Sequence, residues 1–144
     1  MSSIVEFFVA PDDTSAAEAL RHGPGQAFES LSFGNFDVEE AVVEWECLLA
    51  GGSFDELADA GEPRFVAEQD DGGSVVFAVS SRLSAALAAA ERSRLREAAV
   101  AWAERRAADG EVVRTEIAEA ILTGLAALVG SARHRDQAVY CWVA

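Results

Sequence analysis

The sequence predicts a single α+β domain over residues 1–144, in which one mixed sheet of about four to five strands is packed by several helices. The first observation is that residues 3–10 and 137–143 are apolar runs rich in aromatic and β-branched side chains. The second is that apolar side chains recur at helical spacing between these runs. The third is that 144 residues, 51% of them hydrophobic, suffice for one buried core.

The two terminal runs are too hydrophobic for the edge of a sheet. We therefore expect both strands inside it, side by side, with helices over at least one face. After the first strand, residues 11–14 offer turn and N-cap chemistry before a short helix over residues 16–21. Residues 28–33 alternate apolar and polar side chains and predict a further strand.

The helical pattern is clearest over residues 37–50. Asp37 is a good N-cap with Glu40 three residues later, as in a capping box, and Gly51 is a natural stop. We expect this helix to pack on the sheet through a main apolar face that comprises Val38, Ala41, Val42, Trp45, Leu48 and Leu49.

Turn and capping residues delimit the remaining elements. A short helix is predicted over residues 54–60, and residues 64–69 and 74–80 are typical of a hairpin joined by an Asp-Gly pair. Ser81 can cap the first of three further helices, which are predicted over residues 82–90, 94–108 and 115–132.

The charge of the chain is unevenly distributed. Residues 1–72 carry 17 acidic and 2 basic side chains, a net of −15, whereas residues 73–144 carry 8 acidic and 9 basic side chains, a net of +1; the two sum to −14. All 11 bases are arginine, which we attribute to the base composition of the genome. A field of this sign repels phosphates, so we expect neither nucleic acid nor an anionic membrane as a partner.

The sequence does not predict export or membrane insertion. The longest mostly apolar run, residues 117–129, is interrupted by Glu119 and is shorter than the roughly 20 residues of a spanning helix. The first residues lack the basic region of a signal peptide. Cys47 and Cys141 are compatible with the cytoplasm as free thiols, and we expect a cytoplasmic protein.

A second apolar strip on the helix over residues 37–50 supplies the candidate binding residues. At about 100° per residue, Val43 and Cys47 fall opposite the main apolar face. Acidic residues flank this strip on both sides, a pattern typical of a surface that docks a basic amphipathic partner. We therefore predict partner binding at Glu39, Glu40, Val43, Glu44, Glu46 and Cys47.

Two other interpretations of the strip stay open. The helix could lie between the sheet and another helix, in which case the carboxylates would emerge along the two lines of contact. The protein could instead form a homo-oligomer that buries Val43 and Cys47 against a second copy. The basic residues of the later helices are expected to face the acidic half of the same chain; they are Arg92, Arg94, Arg96, Arg105 and Arg106.

The sequence contains no pattern that specifies a reaction, a metal or a cofactor. Adjacent acids such as Asp12 and Asp13 lack the spacing of a calcium-binding loop, and we predict no metal site. His22 and His134 lie in polar loops, and neither cysteine lies at a helix N-terminus that would activate a thiol. The glycine-rich turns lack the residues of a phosphate-binding loop. No catalytic residue and no cofactor is therefore predicted.

The sequence thus predicts a non-enzymatic cytoplasmic interaction or regulatory protein that presents an acidic surface of its first half to a basic protein partner. The alternative is a small-molecule binding protein, or a minor enzyme, with a pocket between the sheet and the helices. A cluster of histidine, cysteine and carboxylate side chains around a concave pocket would favour the alternative.

The second half of the chain resembles small uncharacterised proteins of high-GC bacteria. The resemblance is carried by the strand over residues 74–80, by the Leu- and Ala-rich helices after it, and by the closing Val139-Tyr140-Cys141-Trp142. It covers about half of the chain. It implies no activity and no functional residues.

Overall fold

Strands and helices follow one another in the predicted order in a computed structural model of the protein, which describes residues 4–33, 36–70 and 73–144. The strands are β1 Val5–Ala10, β2 Ser30–Phe33, β3 Arg64–Glu68, β4 Val75–Ala78 and β5 Ala138–Val143. The helices are α1 Asp13–Ala17, α2 Val38–Ala50, α3 Phe54–Asp59, α4 Ser81–Ala89, α5 Arg92–Ala108 and α6 Thr115–His134.

The strands form one sheet in the order β2-β1-β5-β4-β3. β1 pairs along its whole length with β5, from Val5 opposite Val143 to Ala10 opposite Ala138, which confirms that the terminal strands lie side by side inside the sheet. Every pairing is antiparallel, whereas the sequence led us to expect a mixed sheet. Apolar periodicity identifies a strand, but it does not show whether that strand runs parallel or antiparallel to its neighbour. That direction depends on how the helices between β4 and β5 connect the two strands.

Both faces of the sheet are covered, which explains why the central strands are apolar at successive positions. On one face, Phe7 and Cys141 join the core formed with α2, α4, α5 and α6. On the other face, Phe8, Tyr140 and Trp142 pack against α1 and the segment that follows it. The predicted α+β layer architecture is confirmed.

The predicted caps of α2 are confirmed, whereas α1 and α4 begin earlier than predicted. Asp37 accepts a hydrogen bond from the Glu40 N–H at 3.2 Å, and α2 ends at Gly51, whose φ of 93° favours glycine.

Helix α1 begins earlier than predicted because Asp12 caps it, accepting a hydrogen bond from the Ser15 N–H at 2.8 Å. Ser80, and not Ser81, caps α4, because its Oγ accepts a hydrogen bond from the Leu83 N–H at 3.0 Å.

β3 and β4 form the predicted antiparallel hairpin. The Gln69 N–H donates to the Ser74 carbonyl at 2.9 Å and continues the pairing beyond the strands, while the Asp-Gly pair at residues 71–72 lies outside the described residues. The register shifts between Phe65 and Ala67, as in a β-bulge. A bulge of this kind bends the strand and increases its local twist.

Helix α6 is long and apolar enough to cross a membrane by length and composition, and it is the one such helix in the described ranges. Its side chains Leu122, Leu125 and Val129 are buried in the core. A core helix of a globular domain meets the same criteria, and α6 occupies that position here, between α5 and the sheet.

The backbone at Gly23 lies against the Trp142 ring. Gly23 has a φ of 78°, and a Cβ added there would lie 2.7 Å from Trp142 Cζ3. The Trp142 indole N–H donates to the Leu20 carbonyl at 2.9 Å, which holds the ring beneath this loop. The segment after α1 can therefore close over the sheet because residue 23 has no side chain.

We predict that Gly23→Ala lowers the free energy of unfolding by about 2–4 kcal/mol, because it combines a strained backbone with overpacking. Gly25→Ala is the matched control, since its φ is 55° and no atom lies within 4 Å of the added Cβ. We expect about 1 kcal/mol for the control. Urea unfolding measures both, and equal losses would show that Trp142 does not restrict residue 23.

Candidate functional site

The apolar strip of α2 is covered by helices of the same chain. Val43 is 3% exposed and Cys47 is half-buried, because α4 and α5 pack against α2. The expectation of an exposed docking strip is therefore corrected: α2 is enclosed between the sheet and its neighbouring helices, which is the alternative arrangement considered above. The same burial makes Val43 unavailable for a contact between two copies.

Glu44 is buried at the contact between α2 and α5, with 1% exposure. Its carboxylate accepts a hydrogen bond from Trp102 Nε1 at 3.1 Å and pairs with Arg105 Nε at 2.8 Å and with Arg106 Nη2. Arg106 is itself 4% exposed and also contacts Glu40 at 3.4 Å. Burial raises the pKa of Glu44, and the Trp102 N–H and both guanidinium groups oppose that shift.

Glu46 holds α2 against α4. Its buried carboxylate accepts a hydrogen bond from Ser80 Oγ and pairs with Arg82 Nη1 at 3.2 Å. Arg82 Nη2 also donates to the Ala50 carbonyl at 3.1 Å, at the C-terminal end of α2 where carbonyl groups lack helical partners. Three of the predicted binding carboxylates therefore make internal contacts, namely Glu40, Glu44 and Glu46.

Two of the five arginines predicted to face the acidic half, Arg105 and Arg106, neutralise part of it. Arg94 also faces the first half, where it donates to the Leu48 carbonyl, and it pairs with Glu97 at 3.6 Å on its own helix. Arg92 and Arg96 are exposed and make no ion pair with the acidic half among the described residues. The acidic excess of the first half is therefore partly cancelled within the chain.

Part of the remaining acidic excess lies around the edge strand β3. We define the β3 surface by the acidic side chains on β3 and on the segments that lie beside it, namely Asp12, Asp13, Glu39, Glu68 and Asp70. Two arginines lie among them, Arg21 beside Asp70, and Arg64, which pairs with Asp13 at 2.8 Å. The β3 surface thus keeps a net negative charge.

Glu39 links the predicted site to the β3 surface. Burial and the nearby carboxylates of Asp37 and Glu68 raise the pKa of Glu39. Like charges therefore lie close together at this point. Of the predicted binding residues, Glu39 retains the surroundings expected for contact with a basic partner.

β3 presents an open edge. Among the described residues, β3 pairs with β4 alone. Phe65 is 42% exposed and packs edge-on against Phe77, with ring centroids 6.3 Å apart. Sequence reasoning missed Phe65 and Glu68 because strand order was unknown. The available signal was the charged residue at each end of the strand, Arg64 and Glu68, which is typical of edge strands.

A cleft of about 380 Å³ opens where β4 and β5 meet α4 and α6. Its lining includes the buried apolar residues Val79, Val129 and Val139, and the charged residues Glu62 and Arg133. This cleft is a pocket between the sheet and the helices, of the kind that the alternative function requires.

Neither thiol is activated by its surroundings. Cys141 is fully buried, and burial raises its pKa well above the ordinary value; burial also raises the pKa of Cys47. His22 and His134 are exposed. In residues 4–33, 36–70 and 73–144, no group of three histidine, cysteine or acidic side chains is placed to hold a metal ion.

Comparisons with protein-family models, with curated proteins and with solved structures find no match to this chain. The functional interpretation therefore depends on the geometry of the β3 surface and of the cleft.

We predict that Arg106→Met lowers the free energy of unfolding by about 2–4 kcal/mol, because Glu44 would stay buried with one guanidinium fewer. Arg114→Met is the control, since its guanidinium is 76% exposed and lies 3.9 Å from Glu116. We expect less than about 1 kcal/mol for the control. Both are measured by urea unfolding; a loss for Arg106→Met as small as that of the control would contradict the importance of this buried cluster.

Asp13 introduces a dependence of stability on pH. Hydrogen bonds from Arg64 and from the Tyr140 hydroxyl, at 2.8 Å each, hold the pKa of Asp13 below its ordinary value. A lowered pKa means that the carboxylate stabilises the folded state above its ordinary pKa, and that this stabilisation is lost as the pH falls through the lowered value.

We predict that Asp13→Asn destabilises the protein at about pH 6, and that its difference from the wild type disappears as the pH falls through the lowered pKa of Asp13. Asp59→Asn, which changes an exposed carboxylate on α3, should show little difference at any pH in this range. The measurement is the free energy of unfolding in urea across this range. A deficit of Asp13→Asn that persists in acid would rule out the ionised carboxylate as the source.

Proposed function

We propose that the protein is a non-enzymatic interaction or regulatory protein of the cytoplasm whose β3 surface binds a basic, extended segment of a protein partner. The observation that carries the proposal is the open edge of β3, with Phe65 exposed, inside an excess of carboxylates. The class of function is the one expected from the sequence. The binding residues move from α2 to the β3 surface, and Glu39 is common to both.

The backbone of β3 supports strand addition as the mode of binding. An added strand gains main-chain hydrogen bonds at a free edge, and its alternate side chains provide specificity. Phe65 and Glu68 lie opposite Phe77 and Val75, which share one face of β4, so both point to the α2 face of the sheet. A partner strand would therefore place apolar and basic side chains on that face.

The charges of the β3 surface support a basic partner. Glu39 and Glu68 lie close enough to raise the pKa of Glu39 beyond the effect of burial alone, so an arginine or lysine between them would relieve their repulsion. The net charge of −14 adds long-range attraction, which accelerates association and weakens as salt is added. Free thiols at Cys47 and Cys141 are compatible with the cytoplasm as the compartment.

The test uses a peptide about ten residues long that alternates arginine and valine, a length that matches one edge strand. It is titrated into the isotope-labelled full chain, and amide shifts are recorded by NMR at low and high sodium chloride. We expect saturable shifts centred on β3, and a steep loss of affinity in high salt. A peptide that alternates glutamate and valine is the charge control and should not bind.

Two matched double variants locate the contact. Glu68→Gln with Asp70→Asn should weaken binding about 5-fold or more, because it removes two carboxylates of the β3 surface. Glu104→Gln with Glu119→Gln removes the same charge from α5 and α6 and should leave affinity nearly unchanged. Shifts away from β3, equal effects of the two double variants, or affinity that survives high salt would each reject the proposal.

A further inference from the structure

Two unpaired groups of opposite charge line the cleft between β4, β5, α4 and α6. Arg133, near the end of α6, and Glu62, before β3, both line it. In the part of the chain that the structure describes, neither has an ion-pair partner within 4.0 Å, and they do not pair with each other. Among the described residues, Arg21, Arg92 and Arg96 also lack an ion pair, but none of them lines this cleft.

The other charged side chains of the cleft are already neutralised. Arg64 makes two hydrogen bonds to Asp13, at 2.8 and 3.2 Å, and Arg82 pairs with the buried Glu46. Only Arg133 and Glu62, among the described lining residues, keep a charge to offer to a ligand. A ligand that matches the cleft must therefore carry both a negative and a positive group.

The positive side of the cleft is supplied by Arg133. The N-terminus of α4 also lines the cleft, but the carboxylate of Glu46 already lies there: it accepts a hydrogen bond from Ser80 Oγ and pairs with Arg82. A guanidinium without a carboxylate partner is a good donor to the carboxylate of a ligand.

Glu62 supplies the negative side. Burial and the neighbouring carboxylate of Glu46 raise the pKa of Glu62, while Arg64 opposes the shift. A bound ammonium group would stabilise the ionised form of Glu62, which burial and Glu46 disfavour. A purely anionic ligand would instead bring its charge towards Glu62 and Glu46.

The size and floor of the cleft limit the ligand further. Its volume of about 380 Å³ is at the lower end of the range of small-molecule sites. Buried side chains of Val79, Val129 and Val139 among its lining offer contacts to an apolar group. A short ligand with two charged ends and an apolar side chain meets these conditions.

We propose that this cleft binds a small zwitterion of the size of a large amino acid or a dipeptide, with its carboxylate towards Arg133 and its ammonium group towards Glu62. This inference goes beyond the proposed function, since it concerns a different class of ligand and a cleft that shares Arg64, but none of the carboxylates, with the β3 surface. It adds a binding activity and involves no covalent step.

The probe is the dipeptide alanyl-leucine, titrated into the isotope-labelled full chain at neutral pH. Saturable NMR shifts are expected at Ser81, Arg82 and Ser84, with a dissociation constant on the order of 1 mM. N-Acetylation of the dipeptide removes its positive charge, and amidation removes its negative charge. Each modification should weaken binding about 10-fold or more.

Two substitutions test the ends of the cleft separately. Arg133→Ala and Glu62→Gln should each weaken binding about 10-fold or more; Arg133 is exposed and Glu62 is only partly buried, so both variants should fold. Arg96→Ala and Glu104→Gln make the same changes on α5, outside the cleft, and should bind as the wild type does.

Three results would overturn the inference. These are no saturable shift at the cleft, equal affinity for the acetylated dipeptide, or unchanged affinity in Arg133→Ala or Glu62→Gln. Because the readout residues lie on α4, the result is independent of the arginine–valine peptide, whose shifts are expected on β3. Failure of one proposal is therefore distinguishable from failure of the other.

Discussion

The neutralisation of Glu44 inside the helical layer is the interaction on which the rest of the structure depends. A carboxylate with 1% exposure persists as an ion only where donors replace the water it has lost. The Trp102 N–H and the guanidinium groups of Arg105 and Arg106 are those donors, and all three belong to α5. The remaining buried residues of α5 are mostly alanine, whose packing specifies a register weakly. We infer that the buried charges fix how α5 lies on α2.

This pairing also decides where the acidic excess is left. Arg82 of α4 and Arg105 and Arg106 of α5 pair with carboxylates of α2. β3 lies at the edge of the sheet, with Arg21 and Arg64 as neighbouring bases. The charge of −14 is therefore not a uniform coat. It leaves a concentrated negative surface beside an open strand, where electrostatic attraction and main-chain pairing can act on the same partner.

The packing of helices on a sheet was predictable because the central strands are apolar at successive positions. The sequence led us to expect cover over at least one face, and the structure covers both. The sequence also showed that Val43 and Cys47 share one side of α2. A helical projection gives the direction of a side chain, but it does not show which element packs against that side. The donors to Glu44 lie 58 and 62 residues further along the chain, at Trp102 and Arg106, so local patterns could not pair them. Strand order is equally nonlocal, which is why the exposure of Phe65 emerged only from the structure.

The arginines differ in what the fold requires of them. Arg82 joins the Glu46 carboxylate to the Ala50 carbonyl through Nη1 and Nη2, and Arg64 uses the same two nitrogens to reach both oxygens of Asp13. A planar fork of donors can span such acceptors, whereas the point charge of a lysine cannot, so genome composition alone does not account for arginine at these two positions. Arg133 has the same fork but no carboxylate partner among the described residues, and it lines a cleft. Since no ion pair of the fold depends on it, its donors are available to a ligand.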